Sequence, residues 1–157
     1  MGEYLSLIKE QLFVMLIAAT PILELRGAIP VGIGLGFTPF QSTVMSIIGN
    51  IIPVPILLLL LNPVFNYFEH TKYIGDIINW LKERTLRRSD KVKKYRILGL
   101  FLLVAIPLPT TGAYTGCVAA CLFDIKFKHA LPTVILGVVA AGMIMFTLSS
   151  LGVQMFS

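Results

Sequence analysis

Long apolar runs separated by short polar interruptions dominate the pattern along this chain. Thr43 to Leu61 and Ala130 to Leu151 are unbroken runs of 19 and 22 residues. At about 1.5 Å per residue, helices of these lengths reach roughly 28 and 33 Å, which matches a hydrocarbon core of about 30 Å. The pattern therefore predicts two membrane-spanning helices, the first kinked by Pro53 and Pro55 and the second with Pro132 in its opening turn.

Two further apolar segments are long enough to span a bilayer, but each is interrupted near its middle. Leu12 to Phe37 is interrupted by the stretch Pro21 to Pro30, and Ile97 to Phe123 by the stretch Pro107 to Gly112. A helical arm of about ten residues reaches only about 15 Å, half of a bilayer. Half-length arms around a central turn predict re-entrant hairpins, whose turns must be surrounded by protein or by a wet cavity.

This order of elements occurs twice along the chain: an interrupted segment, a short turn and a full span. Gly27-Ala28 matches Gly112-Ala113, and Gly49 matches Gly137. Because the two hairpins would enter from opposite faces, the halves would be inverted repeats, a plan that recurs in transporters. We expect one all-α integral membrane domain over residues 1–157, with repeat 1 over 12–61, an amphipathic cytoplasmic helix in a basic linker over 62–96, and repeat 2 over 97–152.

The charges indicate an orientation. Only 13% of the residues are charged, against about 25% in soluble domains, and nine of the 13 basic residues lie between Lys72 and Arg96. With two re-entrant hairpins, this loop shares one face with Lys126 and Lys128, which the positive-inside rule makes cytoplasmic. Four simple crossings would separate the two groups. Because the basic residues adjoin apolar segments, we expect contact with lipid headgroups and no nucleic acid.

Glu24 and Arg26 are the sharpest functional signal, since a charge near the bilayer centre costs about 2.5–3.5 kcal/mol on insertion scales. Such residues face a cavity or each other. Arg26 is expected to bind an anionic group, and Glu24 to carry a coupling proton. The alternative is a buried ion pair that holds the first hairpin together. Asn50, in the middle of a span, is expected to contact the hairpin turn.

The second interruption offers backbone amide groups and hydroxyl groups. A helix that starts near Gly112 would direct its N-terminal amides at this place and favour an anion, unless the turn is satisfied by its own side chains. Cys117 and Cys121 are interpreted as packing residues, and neither a metal nor a cofactor is expected. The predicted substrate site consists of Glu24, Arg26, Gly27, Pro30, Asn50, Pro107, Pro109, Thr110, Thr111, Gly112 and Tyr114.

Two motifs carry a family resemblance. The stretches Glu24-Leu-Arg-Gly-Ala-Ile-Pro30 and Pro107-Leu-Pro-Thr-Thr-Gly-Ala-Tyr-Thr-Gly116 resemble those of the small multidrug export protein family, which is similar to the wider DedA/VTT group. Thr110 stands where the family has glycine. The resemblance implies export of small molecules and paired re-entrant hairpins, and the wider group implies movement of lipids. The arginine that DedA proteins often carry in the second hairpin is absent here.

These features predict a multi-pass protein of the cytoplasmic membrane, acting as a proton-coupled transporter or flippase rather than as an enzyme. Its substrate would be an amphipathic small molecule or a lipid with an anionic headgroup, and a homodimer is expected because the chain is small. Two alternatives stay open. One is a membrane-embedded lipid phosphatase with Thr110 or Thr111 as nucleophile, and the other is a scaffold without a substrate.

Overall fold

The computed structural model describes residues 2–69, 90–108 and 111–156. These segments are helical throughout, apart from short turns, and contain no strand. The architecture is therefore all-α, as predicted. The helices are α1 (Gly2–Ala18), α2 (Glu24–Gly34), α3 (Pro39–Ile51), α4 (Pro53–Glu69), α5 (Asp90–Ala105), α6 (Ala113–Leu122) and α7 (Phe127–Phe156).

Two stretches are long and apolar enough to cross a membrane. They are Pro39–Leu61, with a mean hydropathy of 2.4, and Phe127–Val153, with a mean hydropathy of 2.2. Apolar side chains on their outer faces are largely exposed, among them Leu59 and Leu136 at 60% each. Water disfavours such a surface and lipid favours it. Together with the apolar composition, this indicates a membrane protein.

Prolines and polar turns set the helix boundaries. Because Pro53 has no N–H to continue the helix, α3 ends at Ile51 and α4 begins at Pro53, which is where the sequence predicted a kink in the first span. α7 begins at Phe127, so Pro132 lies inside the helix and not in its opening turn as predicted. Most of the predicted amphipathic linker lies outside the described residues.

A capping box starts α3. The Thr38 hydroxyl accepts a hydrogen bond from the Gln41 backbone N–H at 3.2 Å, and the Gln41 side chain accepts one from the Thr38 N–H at 3.2 Å. Pro39 follows in the first turn, where its missing N–H leaves no partner unsatisfied. This cap places the start of the span at Pro39, four residues before the apolar run that predicted it.

The first interrupted segment folds back on itself. A Cβ atom added to Gly32 in α2 would lie 3.4 Å from Val14 in α1. In a straight helix, residues 18 positions apart are separated by about 27 Å. The chain therefore reverses direction through the turn at residues 19–23, and α1 packs against α2. Pro30 does not interrupt the second arm, since it lies inside α2.

The second interrupted segment reverses in the same way. A Cβ atom on Gly116 in α6 would contact Val104 and lie 3.8 Å from Leu100, both in α5. The turn between these helices begins at Ile106 and ends at Gly112. The predicted interruption at this place is confirmed, although Pro109 and Thr110 lie outside the described residues.

The two spans run antiparallel to each other. At the start of α3, the Phe40 ring meets the Phe146 ring edge to face, with ring centroids 6.4 Å apart. Farther along α3, Ile47 packs at Gly142 of α7, which is earlier in that helix. The contacts progress forward along α3 and backward along α7. The fold thus consists of two folded-back helix pairs around two antiparallel spans.

Candidate functional site

The Glu24 carboxylate lies at the N-terminus of α6. Its Oε1 atom accepts a hydrogen bond from the Tyr114 backbone N–H at 3.3 Å, and only 7% of the residue is exposed. The first backbone N–H groups of a helix have no partner within the helix and carry a partial positive charge. Glu24 therefore caps a helix that belongs to the other helix pair. Its own backbone is held at a left-handed φ of +49°.

Gly112 allows this close approach. A Cβ atom at this position would overlap with all three atoms of the Glu24 carboxylate group. Any larger residue would therefore push the carboxylate away from the first turn of α6. A glycine is required at position 112 because the Glu24 side chain occupies the space of a Cβ atom, and not because the backbone there is unusual.

Arg26 reaches the same turn from the other direction. Its Nη2 atom donates to the Ile106 carbonyl oxygen at 3.3 Å and to the Thr111 hydroxyl oxygen at 3.2 Å. Both acceptors are neutral. The Arg26 Nε atom is buried and has no hydrogen-bond partner. The hydrogen bonds of Glu24 and Arg26 thus join the two turns to each other. None of these bonds links α1 to α2 within the first helix pair.

Tyr114 and Thr111 complete the junction. The Tyr114 hydroxyl donates to the Ala19 carbonyl oxygen at the end of α1, which is a third link between the turns. The Thr111 hydroxyl donates to the Ile106 carbonyl oxygen at 2.8 Å and closes the second turn. The turn is thus partly satisfied by its own side chains. Because the Thr111 hydroxyl hydrogen is directed at a carbonyl group, the structure offers no argument for this residue as a nucleophile.

Two cavities adjoin Glu24 and Arg26. The outer cleft has a volume of about 360 Å³ and is lined by Pro21, Ile22, Leu23, Glu24, Arg26, Gly27, Thr111 and Thr115. The inner crevice is too narrow for a water-sized sphere and also reaches Asn50, Val104, Gly112, Ala113, Val138 and Ala141. The two charged residues form the wall between the cleft and the crevice.

The structure brings most of the predicted site residues together. Glu24, Arg26, Gly27, Thr111 and Gly112 line one or both cavities, and Asn50 closes the inner crevice. Tyr114 contributes through its hydrogen bonds. Two predicted members do not take part: Pro30 is exposed on α2, and Pro107 lines neither cavity.

Sequence reasoning missed two buried serines. Ser42 and Ser46 of α3 are fully buried, as is Asn50, and the three lie four residues apart on one helix face. The i, i+4, i+8 spacing of small polar residues within an apolar run was the signal that could have found them. Ser42 lies against Gly32 of α2, where an added Cβ atom would come 2.6 Å from its hydroxyl oxygen.

The described part of the chain has no group of three or more His, Cys, Asp or Glu side chains that could hold a metal ion. Cys117 and Cys121 are both buried in α6, and neither forms a disulfide. Cys117 packs in the hydrophobic core with residues such as Leu100 and Val134. The packing role predicted for Cys117 agrees with these contacts.

Residues 24–144 match the family described as "Putative small multi-drug export protein". The matched span begins at Glu24, directly after the first turn, and contains the first span, the second turn and most of the second span. No curated protein and no solved structure matches the chain.

Proposed function

Because this chain belongs to the small multi-drug export protein family, we propose that it is a membrane transporter whose binding site is the cleft beside Glu24 and Arg26. Its substrate is an amphipathic molecule with an anionic headgroup, either a small molecule or a lipid. Transport is coupled to a proton carried by Glu24.

The position of the Arg26 guanidinium at the cleft carries this proposal. Glu24 is almost fully buried, and its negative charge is directed at the partial positive charge of the α6 N-terminus. Arg26 is only partly buried, lines the cleft and donates its hydrogen bonds to a neutral carbonyl and a neutral hydroxyl, while Glu24 attracts it without a hydrogen bond between them. A guanidinium at the edge of a low-dielectric cleft attracts an anion, and phosphate or carboxylate fits its donor geometry.

The walls of the cleft favour an amphipathic molecule. Pro21, Ile22 and Leu23 form an apolar rim, and Ile22 is 89% exposed. Thr111 and Thr115 line the polar side next to Arg26. A headgroup placed between Arg26 and the threonines would leave its apolar tail against this rim.

The direction of the two spans supports a re-entrant second pair. If α5 and α6 instead made a simple crossing between the spans, α3 and α7 would cross the membrane in the same direction. They run antiparallel, which is the arrangement expected when this pair returns to the face from which it entered. For the first pair, the support is the packing of α1 against α2. With this topology the basic stretch 72–96 and Lys126 lie on the same, cytoplasmic, face.

Matched local features support inverted repeats. The turn after α2 has Gly36 at φ +95° and a hydrogen bond from the Phe37 N–H to the Gly32 carbonyl oxygen. The turn after α6 has Asp124 at φ +52° and a bond from the Ile125 N–H to the Ala120 carbonyl oxygen. Each residue in the second turn lies 88 positions after its counterpart in the first.

The same offset relates the site residues to each other. Gly49 and Gly137 are 88 positions apart, and each allows its span to approach the first helix of its own pair. Glu24 and Gly112 are also 88 positions apart, and they touch each other. At this offset the counterpart of Gly112 is Glu24 and not Gly27, with which the sequence pattern paired it. Residues that are related by a twofold axis and touch must lie beside that axis. The candidate site would therefore lie on the axis between the repeats, where transporters of this plan bind substrate.

The Glu24 contact offers a coupling mechanism. An ionised carboxylate at a helix N-terminus stabilises the contact by about 0.3–1 kcal/mol, and up to about 2 kcal/mol when partly buried. A proton on Glu24 removes that charge and weakens the link between the first turn and α6. The two helix pairs then rock apart, which opens the cleft and the inner crevice to the other face.

Transport by reconstituted protein tests this function. In liposomes with a fluorescent short-chain phosphatidic acid, we expect the protein to accelerate transbilayer movement, measured by quenching of the outer leaflet. Arg26→Gln should slow this movement at least tenfold, because it removes the charge that binds the headgroup. Glu24→Gln should abolish its dependence on a pH gradient.

Lys9→Gln is the matched control, since it removes a positive charge from an exposed residue far from the site. It should move the lipid as fast as the unmodified protein, and all variants should elute as folded protein. The proposal is contradicted if Arg26→Gln folds and is fully active, or if no amphipathic anion moves. Phosphate release from the lipid would indicate the enzyme instead.

A further inference from the structure

Ser42, Ser46 and Asn50 form a polar face on α3 that is sealed inside the protein. Each residue is 0% exposed, and their four-residue spacing places them in one row along the helix. From first to last, the row extends about 12 Å. We name this row the α3 polar row.

No hydrogen-bond partner satisfies these side chains. The Ser42 and Ser46 hydroxyls and both polar atoms of the Asn50 amide are buried without one. Other helical hydroxyls in the described residues behave differently. Those of Thr43, Thr133, Thr147 and Ser150 all donate to the carbonyl oxygen four residues earlier. The two serines of the row thus lack the local bond that a helix normally offers.

Buried polar groups without protein partners are usually satisfied by water in folded proteins. In a membrane protein this requirement is stricter, because lipid offers no alternative partner. The α3 polar row faces protein and not lipid, since lipid-facing positions such as Val44 and Ile48 of the same helix are exposed. Water is the ligand whose hydrogen bonding matches two hydroxyls and an amide in a row.

The row connects one end of α3 to the candidate site. Ser42 lies one turn after the helix start at Pro39, against Gly32 of α2. Asn50 lies at the other end of the row and lines the inner crevice with Glu24 and Arg26. The Arg26 Nε atom, which is also buried without a partner, adds a fourth polar group at this end.

We propose that the α3 polar row lines a water path between α2 and α3, from the membrane face at which α3 begins to the Glu24–Arg26 junction. In this conformation the inner crevice at the Asn50 end admits no water-sized sphere, and the path opens as the helix pairs move. The existence of the path does not depend on the proposed function, but its role in supplying water to the transport site does. The path gives Glu24 and the bound headgroup contact with water at one face.

Cysteine accessibility in the full-length protein tests the path without requiring transport. In a Cys117→Ala/Cys121→Ala background, Ser42→Cys and Ser46→Cys would be exposed in proteoliposomes to a small membrane-impermeant sulfonated methanethiosulfonate. A thiol reacts as its thiolate, which forms only where water reaches it. We expect both positions to react at least tenfold faster than Val44→Cys and Ile48→Cys, which lie at similar depth on the outer face.

If the two row positions react no faster than Val44→Cys and Ile48→Cys, the path does not exist. Fast reaction at all four positions would mean that α3 lies in water, and would also contradict the path.

A second pair of variants locates the path. Adding Gly32→Ala to Ser46→Cys should slow labelling at least fivefold, because the new methyl group meets the Ser42 hydroxyl. Gly34→Ala, which meets no neighbour, should not. Equal rates for both would contradict a route between α2 and α3.

The two hypotheses fail independently. Labelling of the row with no lipid movement in the transport assay would contradict the proposed function and leave the path intact. Arg26-dependent transport without labelling would contradict the path and leave the function intact.

Discussion

Glu24 is a charged residue that the protein holds in an unfavourable position by several independent contacts. Its left-handed backbone costs a non-glycine residue about 1–2 kcal/mol, and its carboxylate is removed from water. The α6 N-terminus, the missing side chain at Gly112 and the nearby Arg26 offset these costs. Strain and buried charge that persist at one residue are characteristic of functional sites.

Gly112→Ala tests this arrangement at the level of one methyl group. The new Cβ atom would overlap with the Glu24 carboxylate, so we expect a loss of about 1–3 kcal/mol in unfolding free energy and a strong loss of transport. Thermal unfolding in detergent measures the first effect. Gly99→Ala in α5, where no neighbour lies within 4 Å, should be neutral or slightly stabilising. Equal stability of the two variants would contradict the contact.

The sequence predicted the residues of this site better than their partners. Glu24, Arg26 and Gly112 stood out because charges and helix breakers are rare at membrane depth. The sequence predicted that the two turns form one site around Glu24 and Arg26. It did not predict which hydrogen bonds these residues make across it, because the bonds connect residues 80 or more positions apart. Ser42 and Ser46 were missed because a serine in an apolar run is ordinary until its partners are known.

The sequence predicted where the helices lie better than it predicted where they begin and end. The kink at Pro53 and the interruption before Gly112 were predicted from proline and glycine. The starts of α1, α5 and α7 precede the apolar runs, because a helix continues into polar turns that hydropathy does not report. The start of α3 was readable from Thr38 and Gln41, a capping box that apolar periodicity alone overlooks.

Gly49 determines how closely α3 packs on α1. A Cβ atom there would meet the Met15 backbone, which cannot move aside as a flexible side chain can. Gly49→Ala should therefore cost about 1–3 kcal/mol in unfolding free energy, seen as a lower melting temperature in detergent. Gly152→Ala, near the end of α7 and without a neighbour within 4 Å, is the matched control. A Gly49→Ala variant as stable as this control would show that the two helices are not in contact.

For the whole molecule, the antiparallel spans and the positive-inside rule favour the same topology. Two re-entrant pairs leave Lys9 on one face and the nine basic residues of 72–96 on the other, together with Lys126 and Lys128. The sequence could suggest this arrangement from charge alone but left four simple crossings open. The packing of Phe40 on Phe146, together with that of Ile47 at Gly142, shows antiparallel spans and so favours a re-entrant second pair.

The most direct test of two re-entrant helix pairs is the membrane side of four exposed positions, two flanking each pair. In the background without Cys117 and Cys121, single cysteines at Tyr4, Leu35, Tyr95 and Lys128 would be labelled in intact cells with an impermeant reagent. We expect labelling from outside for Tyr4→Cys and Leu35→Cys, and labelling only after lysis for Tyr95→Cys and Lys128→Cys. Labelling of Tyr4→Cys and Leu35→Cys from opposite sides would mean that the first pair crosses the membrane, and would contradict the re-entrant topology.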